Sequence, residues 1–352
     1  MIEMLKRKSF GVTKDGEKAS RFILENSKGM CVEVSDFGAL VLSILVPDKR
    51  DSIRDVVLGF ENLKDYYNND IGLGAYIGRN ANRIEGAKVT IEGKEYVVDA
   101  NNNGNNLHSG FDRSHYKFYR SQFGQNEEGS FVEFSRNSPH MEQGLPGNLE
   151  QKIRYMLTEK NEFIIDYEMV CDKMTIVNPT NHSYFNLDGH NSGTILQHEM
   201  EIYSDKVLNI DRNLIPTGEI INVTKTPMDF QYRKEIGKDI DSDYLPLIIA
   251  GGYDHNYVFS NDRKLKKVAK LYAADSGITM AVFSDLCGLQ VYSGNFLNGQ
   301  TGKAGAIYIK RSGICFETQF YPNSCKEASF PSCILPGDEV FQSRTVYQFE
   351  VE

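Results

Sequence analysis

Residues 89–98 read Val-Thr-Ile-Glu-Gly-Lys-Glu-Tyr-Val-Val, a run of β-branched and aromatic side chains that is interrupted at Gly93. Side chains of this type favour strands, and a glycine between two short apolar runs is typical of the turn of a β-hairpin. The segment 267–283 repeats the pattern, with Asp275-Ser276-Gly277 between two apolar runs. Both segments therefore predict pairs of antiparallel strands.

The same period-two pattern extends over much of the chain, in place of long amphipathic stripes. Further strands are predicted at 131–134, 163–170 and 306–309. Only the segments 61–67 and 234–241 favour short helices, and the 19 Tyr and 20 Phe suit broad, packed sheet faces. No linker, repeat or low-complexity tract divides the sequence. We therefore predict an all-β fold, a large antiparallel β-sandwich with few short helices, as a single domain over residues 1–352.

The composition argues against several classes of function. With 48 acidic and 39 basic residues the net charge is −9, whereas a nucleic-acid-binding protein needs a basic surface to displace counterions. No apolar run approaches the roughly 20 residues that cross a bilayer, and the first residues, MIEMLKRKSF, lack the apolar core of a secretion signal. We therefore expect a cytoplasmic monomer or homodimer that has neither nucleic acid nor membrane as its partner.

Neither the cysteines nor the histidines form a recognised metal or redox motif. The six Cys residues are scattered without a CxxC and are expected to be reduced, largely buried thiols. His182, His190 and His198 are spaced by eight residues, but no HxH or HExxH is present. The glycines between Gly72 and Gly78 miss the spacing of a dinucleotide loop, and the sequence contains no Walker A motif and no GxSxG. The sequence therefore predicts no metal, nucleotide or serine nucleophile.

Polar residues concentrate in a few short segments that also carry aromatic side chains. They are GRNANRI (78–84), NLHSG (106–110), NPTNHSYFN (178–186), GGYDHNY (251–257) and FETQ (316–319). Each segment taken alone could be a turn whose polar side chains bond only to local backbone. Together their Arg, Asn, Asp, Gln and His side chains offer the paired donors and acceptors that sugar hydroxyls need, and aromatic rings suit the face of a pyranose. We therefore interpret the segments as a binding site for a polyhydroxylated ligand.

These segments resemble the motifs of the galactose mutarotase (aldose 1-epimerase) family. GRNANRI is similar to the family's GRxANRI, NLHSG to its NLHGG, and NPTNHSYFNL is nearly the family's own string, while GGYDHNYV, LQVYSGNFL and FETQFYP match further blocks. The matches run from residues 55–60 to the PGDEV at 336–340, which is nearly the whole chain. The resemblance implies a β-sandwich enzyme that interconverts the α and β anomers of free hexoses such as D-galactose and D-glucose, without a cofactor.

The resemblance also implies which residues carry the chemistry. Glu317 matches the base that takes the proton of the anomeric hydroxyl, and His182 matches the acid that protonates the ring oxygen. A carboxylate beside His182 is expected to raise the pKa of the histidine, so that the two groups hold their resting protonation state jointly. The residues that would bind the sugar are Asn82, Arg83, His108, Tyr184, Asp254 and Gln290.

Neighbouring positions are expected to lie outside the chemistry or to modify it. Arg79 is interpreted as structural, pairing with a carboxylate behind the site, and His255 on a strand would point away from the face that carries Asp254. Ser109 stands where the family usually has glycine. The segment 320–326 also departs from the family pattern, and we expect it to border the mouth of the substrate site.

Two other functions are compatible with the same segments. A hexose-6-phosphate 1-epimerase on this fold would need additional Arg or Lys for the phosphate, and outside GRNANRI no basic residue lies in a recognisable site motif. A non-catalytic carbohydrate-binding protein would need the aromatic and amide side chains but no acid–base pair. The presence of both His182 and Glu317 favours an enzyme.

Overall fold

The computed structural model describes residues 5–352, and strands and turns dominate its backbone. The first strands are β1 (Leu5–Val12), β2 (Lys18–Glu25), β3 (Cys31–Ser35), β4 (Leu40–Pro47), β5 (Ile53–Asp55), β6 (Ala75–Ile77), β7 (Arg83–Ile84), β8 (Lys88–Ile91), β9 (Lys94–Val97), β10 (Asn106–Leu107), β11 (Arg120–Gln125), β12 (Gly129–Ser138), β13 (Leu149–Thr158) and β14 (Glu162–Cys171). They are followed by β15 (Thr175–Ile176), β16 (Thr180–His182), β17 (Glu199–Ile202), β18 (Lys206–Ile210), β19 (Pro216–Asn222), β20 (Lys234–Glu235), β21 (Asp254–Val258), β22 (Lys266–Tyr272), β23 (Ile278–Ser284), β24 (Gly288–Tyr292), β25 (Gln300–Thr301), β26 (Ile307–Tyr308), β27 (Cys315–Gln319), β28 (Ile334–Leu335) and β29 (Val340–Val351).

Helical structure is limited to single turns and one short helix. Over residues 5–352 the α-helical structure is α1 (Leu245–Ala250), and the 3-10 helices are Leu63–Asn68, Glu85–Ala87, Ser114–Tyr116, Glu142–Gly144, Ile236–Lys238 and Lys303–Gly305. None of the helices in this range is long and apolar enough to cross a membrane. The prediction of an all-β fold with few short helices is confirmed.

Three large antiparallel sheets make up the body of the molecule. The largest has nine strands in the order β11-β12-β13-β14-β29-β23-β22-β17-β20, and β1 to β5 form a second sheet in sequence order. A third sheet has the order β19-β18-β21-β24-β27. Because β2 lies against β12 and β13, the second sheet packs face to face on the largest one, which is the sandwich arrangement.

The alternation that the sequence predicts is present in the strands. In β12 the side chains of Ser130, Val132 and Phe134 are buried, and those between them are partly exposed. Both predicted hairpins also form, with β8 paired to β9 and β22 paired to β23. A large cluster of buried apolar side chains joins strands of all three sheets. The assignment of residues 1–352 to one domain stays a prediction.

The helix predicted at 234–241 is wrong in its first half. Residues 234 and 235 form β20, which extends the nine-stranded sheet, and only a 3-10 turn follows. Lys234 and Glu235 pair with Met200 and Glu199 of β17, so the first residues of the segment are extended rather than helical. Sheet pairing with a distant segment therefore overrides the local preference. The segment 61–67 does form a helical turn, of the 3-10 type.

The third sheet brings three polar positions from distant parts of the sequence side by side. Asn256 on β21 is paired with Gln290 on β24, and Gln290 with Glu317 on β27. Asp254 lies two residues before Asn256 and therefore points to the same face of the sheet. This register aligns Asp254, Gln290 and Glu317 on one sheet face.

Candidate active site

A cavity of about 160 Å³ lies over this face. Its lining residues are Asp70, Ile71, Gly72, Ile77, Asn82, Arg83, Leu107, His108, Arg113, His115, His182, Tyr184, Asp254, Tyr292, Phe296 and Glu317. The volume is below the roughly 300–1,000 Å³ of sites for drug-sized ligands, so the cavity suits a ligand of monosaccharide size. A larger groove crosses the nine-stranded sheet, but its charges are paired with one another, as in Arg154 with Glu133.

Glu317 projects into the cavity from the middle of β27 and is 2% exposed. Its Oε1 atom lies 3.6 Å from Nε2 of His182, while its Oε2 atom has no hydrogen-bond partner among residues 5–352. A buried carboxylate oxygen without a partner is costly for the folded state, because it has lost water and gained nothing in exchange. Glu317 therefore keeps hydrogen-bonding capacity that the described chain does not use.

Asp254 and Gln290 form a second polar pair beside Glu317. The Gln290 Nε2 group donates to Asp254 Oδ1 at 2.5 Å, and the Gln290 Oε1 atom has no partner in the described chain. Gln290 does not line the cavity itself, so it reaches the site through Asp254. The pair leaves one carboxylate oriented toward the cavity.

His182 ends the short strand β16, which pairs with β6. Its Nδ1 atom is 3.6 Å from the Sγ atom of Cys315, and its ring centroid is 5.0 Å from that of Tyr184. The imidazole is therefore held between a thiol and an aromatic ring, with Nε2 directed at Glu317. The geometry places a nitrogen proton or lone pair next to the carboxylate.

His108 faces His182 across the cavity, at 5.3 Å between ring centroids and nearly perpendicular. Its Nδ1 atom accepts a hydrogen bond from the backbone N–H of Asn82 at 3.1 Å. A neutral imidazole that accepts at Nδ1 must carry its proton on Nε2, so His108 presents a donor on that nitrogen. The backbone of Asn82 therefore fixes the tautomer of His108.

His108, His182 and Glu317 could also form a metal site, because one ligand atom from each lies within 4.8 Å of the others. A metal ion at His108 would need the lone pair of Nε2. Since Nδ1 already faces an N–H donor, the ring would then have to give up its remaining proton. The cluster therefore fits a hydroxyl-bearing ligand better than a cation.

Asn82 and Arg83 line the cavity where β7 pairs with β10, which brings them next to His108. The Arg83 Nε group donates to Asn102 Oδ1 at 3.3 Å, and the Asn82 Oδ1 atom accepts from the Arg83 N–H. Both side chains are buried. The guanidinium group provides the positive charge that partly offsets Asp254 and Glu317.

Burial controls the protonation of the acid–base pair. It raises the pKa of Glu317 well above the usual value, with the charge of Asp254 acting in the same direction. It lowers the pKa of His182 to about 4, and it lowers that of His108 well below normal. The expectation that Glu317 raises the pKa of His182 is wrong, because burial lowers this pKa, the charge of Arg113 lowers it further, and Glu317 does not contribute to the shift. Burial therefore favours the uncharged forms of Glu317, His182 and His108.

Four residues that the sequence analysis discussed lie outside the cavity: Arg79, His190, His198 and His255. Arg79 is buried and structural, but the expected carboxylate partner is wrong: its donors go to backbone carbonyls and to Ser138. His255 accepts at Nδ1 from the Asp254 N–H and does not line the cavity. His190 contacts Tyr308, and His198 accepts from the Leu187 N–H, so the eight-residue spacing gives no shared site.

The two departures from the family pattern have structural roles. The Ser109 hydroxyl accepts from the Asn80 N–H at 2.8 Å and donates to the Asn80 carbonyl, which ties the loop after His108 to the GRNANRI segment. The segment 320–326 does not line the cavity; its Asn323 N–H donates to the Arg83 carbonyl at 2.9 Å. That segment therefore supports the backbone of Arg83 rather than the mouth of the site.

Sequence reasoning missed Arg113, Tyr292 and Phe296 as lining residues. Tyr292 and Phe296 lie in the LQVYSGNFL block, so a signal for them was present. Phe296 is 60% exposed and stacks on Tyr292, which gives the cavity an aromatic wall at its mouth. Arg113 lies in no motif, and only its closeness to His108 in sequence could have indicated it.

Comparison with known proteins places the chain in a family. The family model for aldose 1-epimerase matches residues 20–348. The galactose mutarotase of Sus scrofa is 36% identical over 346 residues, covering 98% of each chain, and the aldose 1-epimerase of Escherichia coli K12 is 34% identical over 344 residues, covering 96% of this chain and 97% of that one.

Solved structures agree with these matches. The galactose 1-epimerase of Lactobacillus acidophilus superposes with a TM-score of 0.87 at 25% identity, covering 99% of this chain and 98% of that one. An aldose epimerase homologue from C. elegans gives a TM-score of 0.86 at 26% identity, over 95% of this chain and 99% of that one. The chain therefore belongs to the aldose 1-epimerase family, and it is an epimerase that acts on carbohydrates.

Proposed function

We propose that this protein is a mutarotase that interconverts the α and β anomers of free hexoses, with D-galactose and D-glucose as its substrates. The observation that carries the proposal is the buried pair of Glu317 and His182, 3.6 Å apart at the wall of a cavity of monosaccharide size. The names of the relatives, galactose mutarotase and aldose 1-epimerase, support the same reaction. No cofactor takes part in this proposal.

The reaction needs one proton removed and one proton added. Glu317 takes the proton of the hydroxyl on C1, and His182 gives its proton to the ring oxygen, so the C1–O5 bond breaks and an open-chain aldehyde forms. Rotation about the C1–C2 bond presents the other face of the carbonyl. The C5 hydroxyl then attacks C1, His182 takes back its proton, and Glu317 returns its proton to the carbonyl oxygen.

The pKa shifts of Glu317 and His182 favour the protonation state of the open-chain intermediate. With the closed sugar bound, Glu317 is ionised and His182 is protonated; with the open-chain aldehyde bound, both side chains are neutral. Burial favours the neutral pair, because it raises the pKa of Glu317 and lowers that of His182. The site therefore stabilises the proton arrangement of the open-chain state. Hydrogen bonds from the sugar hydroxyls to Glu317 favour its ionised form in the closed-ring complex.

The remaining side chains have binding roles in the proposal. His108 donates from Nε2 to a sugar oxygen, Arg83 and Asn82 hold hydroxyl groups, and Asp254, oriented by Gln290, accepts from hydroxyls away from C1. Tyr184 packs against the His182 ring. We further propose a cytoplasmic monomer or homodimer, with neither nucleic acid nor membrane as a partner.

The two rival functions are weaker. A hexose 6-phosphate would bring a dianion into a cavity lined by three carboxyl groups, those of Asp70, Asp254 and Glu317. Arg113, the arginine that lines the cavity besides Arg83, already donates to the backbone carbonyls of Asp70 and Gly110. A binding protein without activity has no use for a carboxyl group and an imidazole placed 3.6 Å apart as an acid–base pair. The free-sugar mutarotase therefore agrees best with the distribution of charge.

Polarimetry tests the proposal. Freshly dissolved α-D-galactose and α-D-glucose are followed to anomeric equilibrium with the wild type and with Glu317→Gln. We expect acceleration by the wild type and a loss of about 10²–10⁴-fold in kcat for the variant, the usual size of a general-base contribution. Acceleration of the 6-phosphates alone would favour the phosphate epimerase, and sugar binding without acceleration would favour a carbohydrate-binding protein.

A further inference from the structure

One rim of the cavity is held by side chains rather than by sheet pairing. We call residues 69–72 the rim segment. Each of its first three carbonyl oxygens lies near a polar side chain from another part of the cavity wall. The contacts, at 3.1, 2.6 and 2.8 Å, are His115 Nε2 to Asn69, Arg113 Nη1 to Asp70 and Tyr184 Oη to Ile71. Three successive backbone groups are thus fixed from outside the segment.

The rim segment ends against the catalytic histidine. Gly72 has a φ of +76°, and a Cβ atom at this position would be 3.5 Å from Cγ of His182 and 3.6 Å from its Nδ1. The backbone at Gly72 therefore packs on the imidazole. Because His182 has no short hydrogen bond to Glu317, packing by its neighbours decides how the ring is directed.

Arg113 joins the rim segment to the loop that carries His108. Its Nε group donates to the Gly110 carbonyl at 3.1 Å, and its Nη1 group donates to the Asp70 carbonyl. The planar guanidinium group binds two acceptors in a fixed geometry, which an ammonium group cannot reproduce. The side chain is 13% exposed, and its nearest carboxylate, that of Asp70, is 81% exposed. Arg113 therefore places a lightly compensated charge in the cavity wall.

The charge of Arg113 acts on both histidines. It lowers the pKa of His182 and of His108, after burial and, for His108, after the neighbouring histidine. Arg83 acts at the other end of the site, where it offsets Asp254 and Glu317. The two guanidinium groups are therefore divided between the histidines and the carboxylates.

We propose that Arg113 is a positioning residue of the epimerase reaction: it holds the rim segment and the His108 loop in one arrangement and so directs His182 toward Glu317. The inference rests on the proposed function, because positioning is defined here by the acid–base pair. Arg113 acts through the backbone and through its charge, and takes no part in proton transfer.

Two substitutions separate the geometric role from the charge. Arg113→Lys keeps the positive charge but loses the planar guanidinium group that binds two acceptors, and Arg113→Gln loses both. The matched control is Arg154→Gln, at a partly exposed ion pair on the nine-stranded sheet. We expect kcat to fall about 10- to 100-fold in both Arg113 variants, with KM changed less than about threefold, since small misplacements of catalytic groups cost rate rather than affinity. The limb of the pH–rate profile that is set by His182 should move to higher pH in Arg113→Gln and stay in place in Arg113→Lys, while the limb set by Glu317 stays in place in both.

Hydrogen exchange gives a readout that does not depend on activity. Amides of residues 72–75, including the Gly72 N–H that donates to the Asn69 carbonyl, should exchange faster in both Arg113 variants than in the wild type. Wild-type exchange, or a normal kcat in folded Arg113→Gln, would overturn the proposal. If Arg113→Gln does not fold, Arg113→Lys carries the test. A wild type that accelerates no mutarotation would refute the proposed function, while exchange would still report on the rim segment.

Discussion

Arg79 and Glu317 are both almost fully buried ionisable side chains, yet their surroundings treat them in opposite ways. Every nitrogen of the Arg79 guanidinium group has a partner. Those within 3.0 Å are the Ser138 hydroxyl and the carbonyls of Ser138, Pro139, Pro146 and Gly147. Glu317 keeps one oxygen with no partner in the described chain. The satisfied donors of Arg79 tie together the segments around it, whereas an unsatisfied buried group marks a place where a ligand can complete the hydrogen bonds.

The two arginines of the GRNANRI motif differ in where their side chains lie. Arg79 and Arg83 both belong to GRNANRI, but Arg79 points into the turns around residues 138–147 and Arg83 lines the cavity. Within residues 5–352 the Arg83 guanidinium group makes one hydrogen bond, to Asn102. The motif therefore contributes Arg79 to the packing of the turns and Arg83 to the cavity wall.

The largest effect is expected from His182→Asn. Removing the group that protonates the ring oxygen should lower kcat by about 10²–10⁴-fold while leaving stability nearly unchanged. Polarimetry at saturating sugar and thermal unfolding measure the two quantities. A kcat within about threefold of the wild type would mean that the reaction does not need His182. The contrast between Arg79 and the cavity residues would then carry no information about function.

Arg79→Met should give the reverse outcome. The substitution leaves several buried carbonyls without a hydrogen-bond donor, so we expect the free energy of unfolding, measured in urea, to fall by about 3–5 kcal/mol. The kcat per folded molecule should be normal. Arg154→Met is the control, because ion pairs at the surface are worth less than about 1 kcal/mol. A stable Arg79→Met protein, or one that is folded but inactive, would contradict the structural assignment.

Arg83→Ala should chiefly weaken binding. Hydrogen bonds from a guanidinium group to sugar hydroxyls are worth about 1.5–3 kcal/mol, so KM should rise roughly 10- to 100-fold with kcat changed only a few-fold. Steady-state polarimetry over a range of galactose concentrations gives both constants. An unchanged KM would show that Arg83, like Arg79, serves the fold.

Glu317→Gln should change how the stability of the protein depends on pH. Because burial raises the folded-state pKa of Glu317 above its ordinary value of 4.5, the favourable contribution of this carboxyl is complete below pH 4.5 and is lost as the pH rises toward the folded-state pKa. The amide that replaces the carboxyl cannot ionise, so the variant should be more stable than the wild type by about 1 kcal/mol near neutral pH, a usual gain when a functional group is neutralised. Thermal unfolding at about pH 4 and about pH 8 tests this, with the advantage confined to the higher pH. Equal stability at both would indicate that Glu317 is satisfied in the folded chain.

Local patterns in the sequence predicted the hairpins well and the helices poorly. The runs around Gly93 and Gly277 contain both strands and their turn, so the information is contiguous. The segment 234–241 shows local helical preference, but two of its N–H groups bind the carbonyls of Leu196 and His198, far earlier in the chain, which a local pattern cannot report. α1 has only six residues, too few to display a helical period.

In the candidate site, too, local motifs predicted most residues, whereas features that depend on distant segments were missed. Seven of the eight residues chosen from motifs line the cavity, and the eighth, Gln290, contacts it through Asp254. Arg113 was missed because it carries no motif, and the pKa of His182 was given the wrong direction. The sequence shows that a carboxylate and an imidazole are present, but the pKa depends on how much water each has lost.

Short, contiguous segments of the sequence were enough to establish the period-two alternation, the family membership and the chemical types of the side chains that line the cavity, because each of these is a local property of the chain. The folded structure was needed to show that Glu317 keeps a free oxygen, that Arg79 and Arg83 separate, and that the rim segment packs on His182. These features depend on contacts and on water exclusion between segments far apart in the chain, and those arise only when the sheets pack.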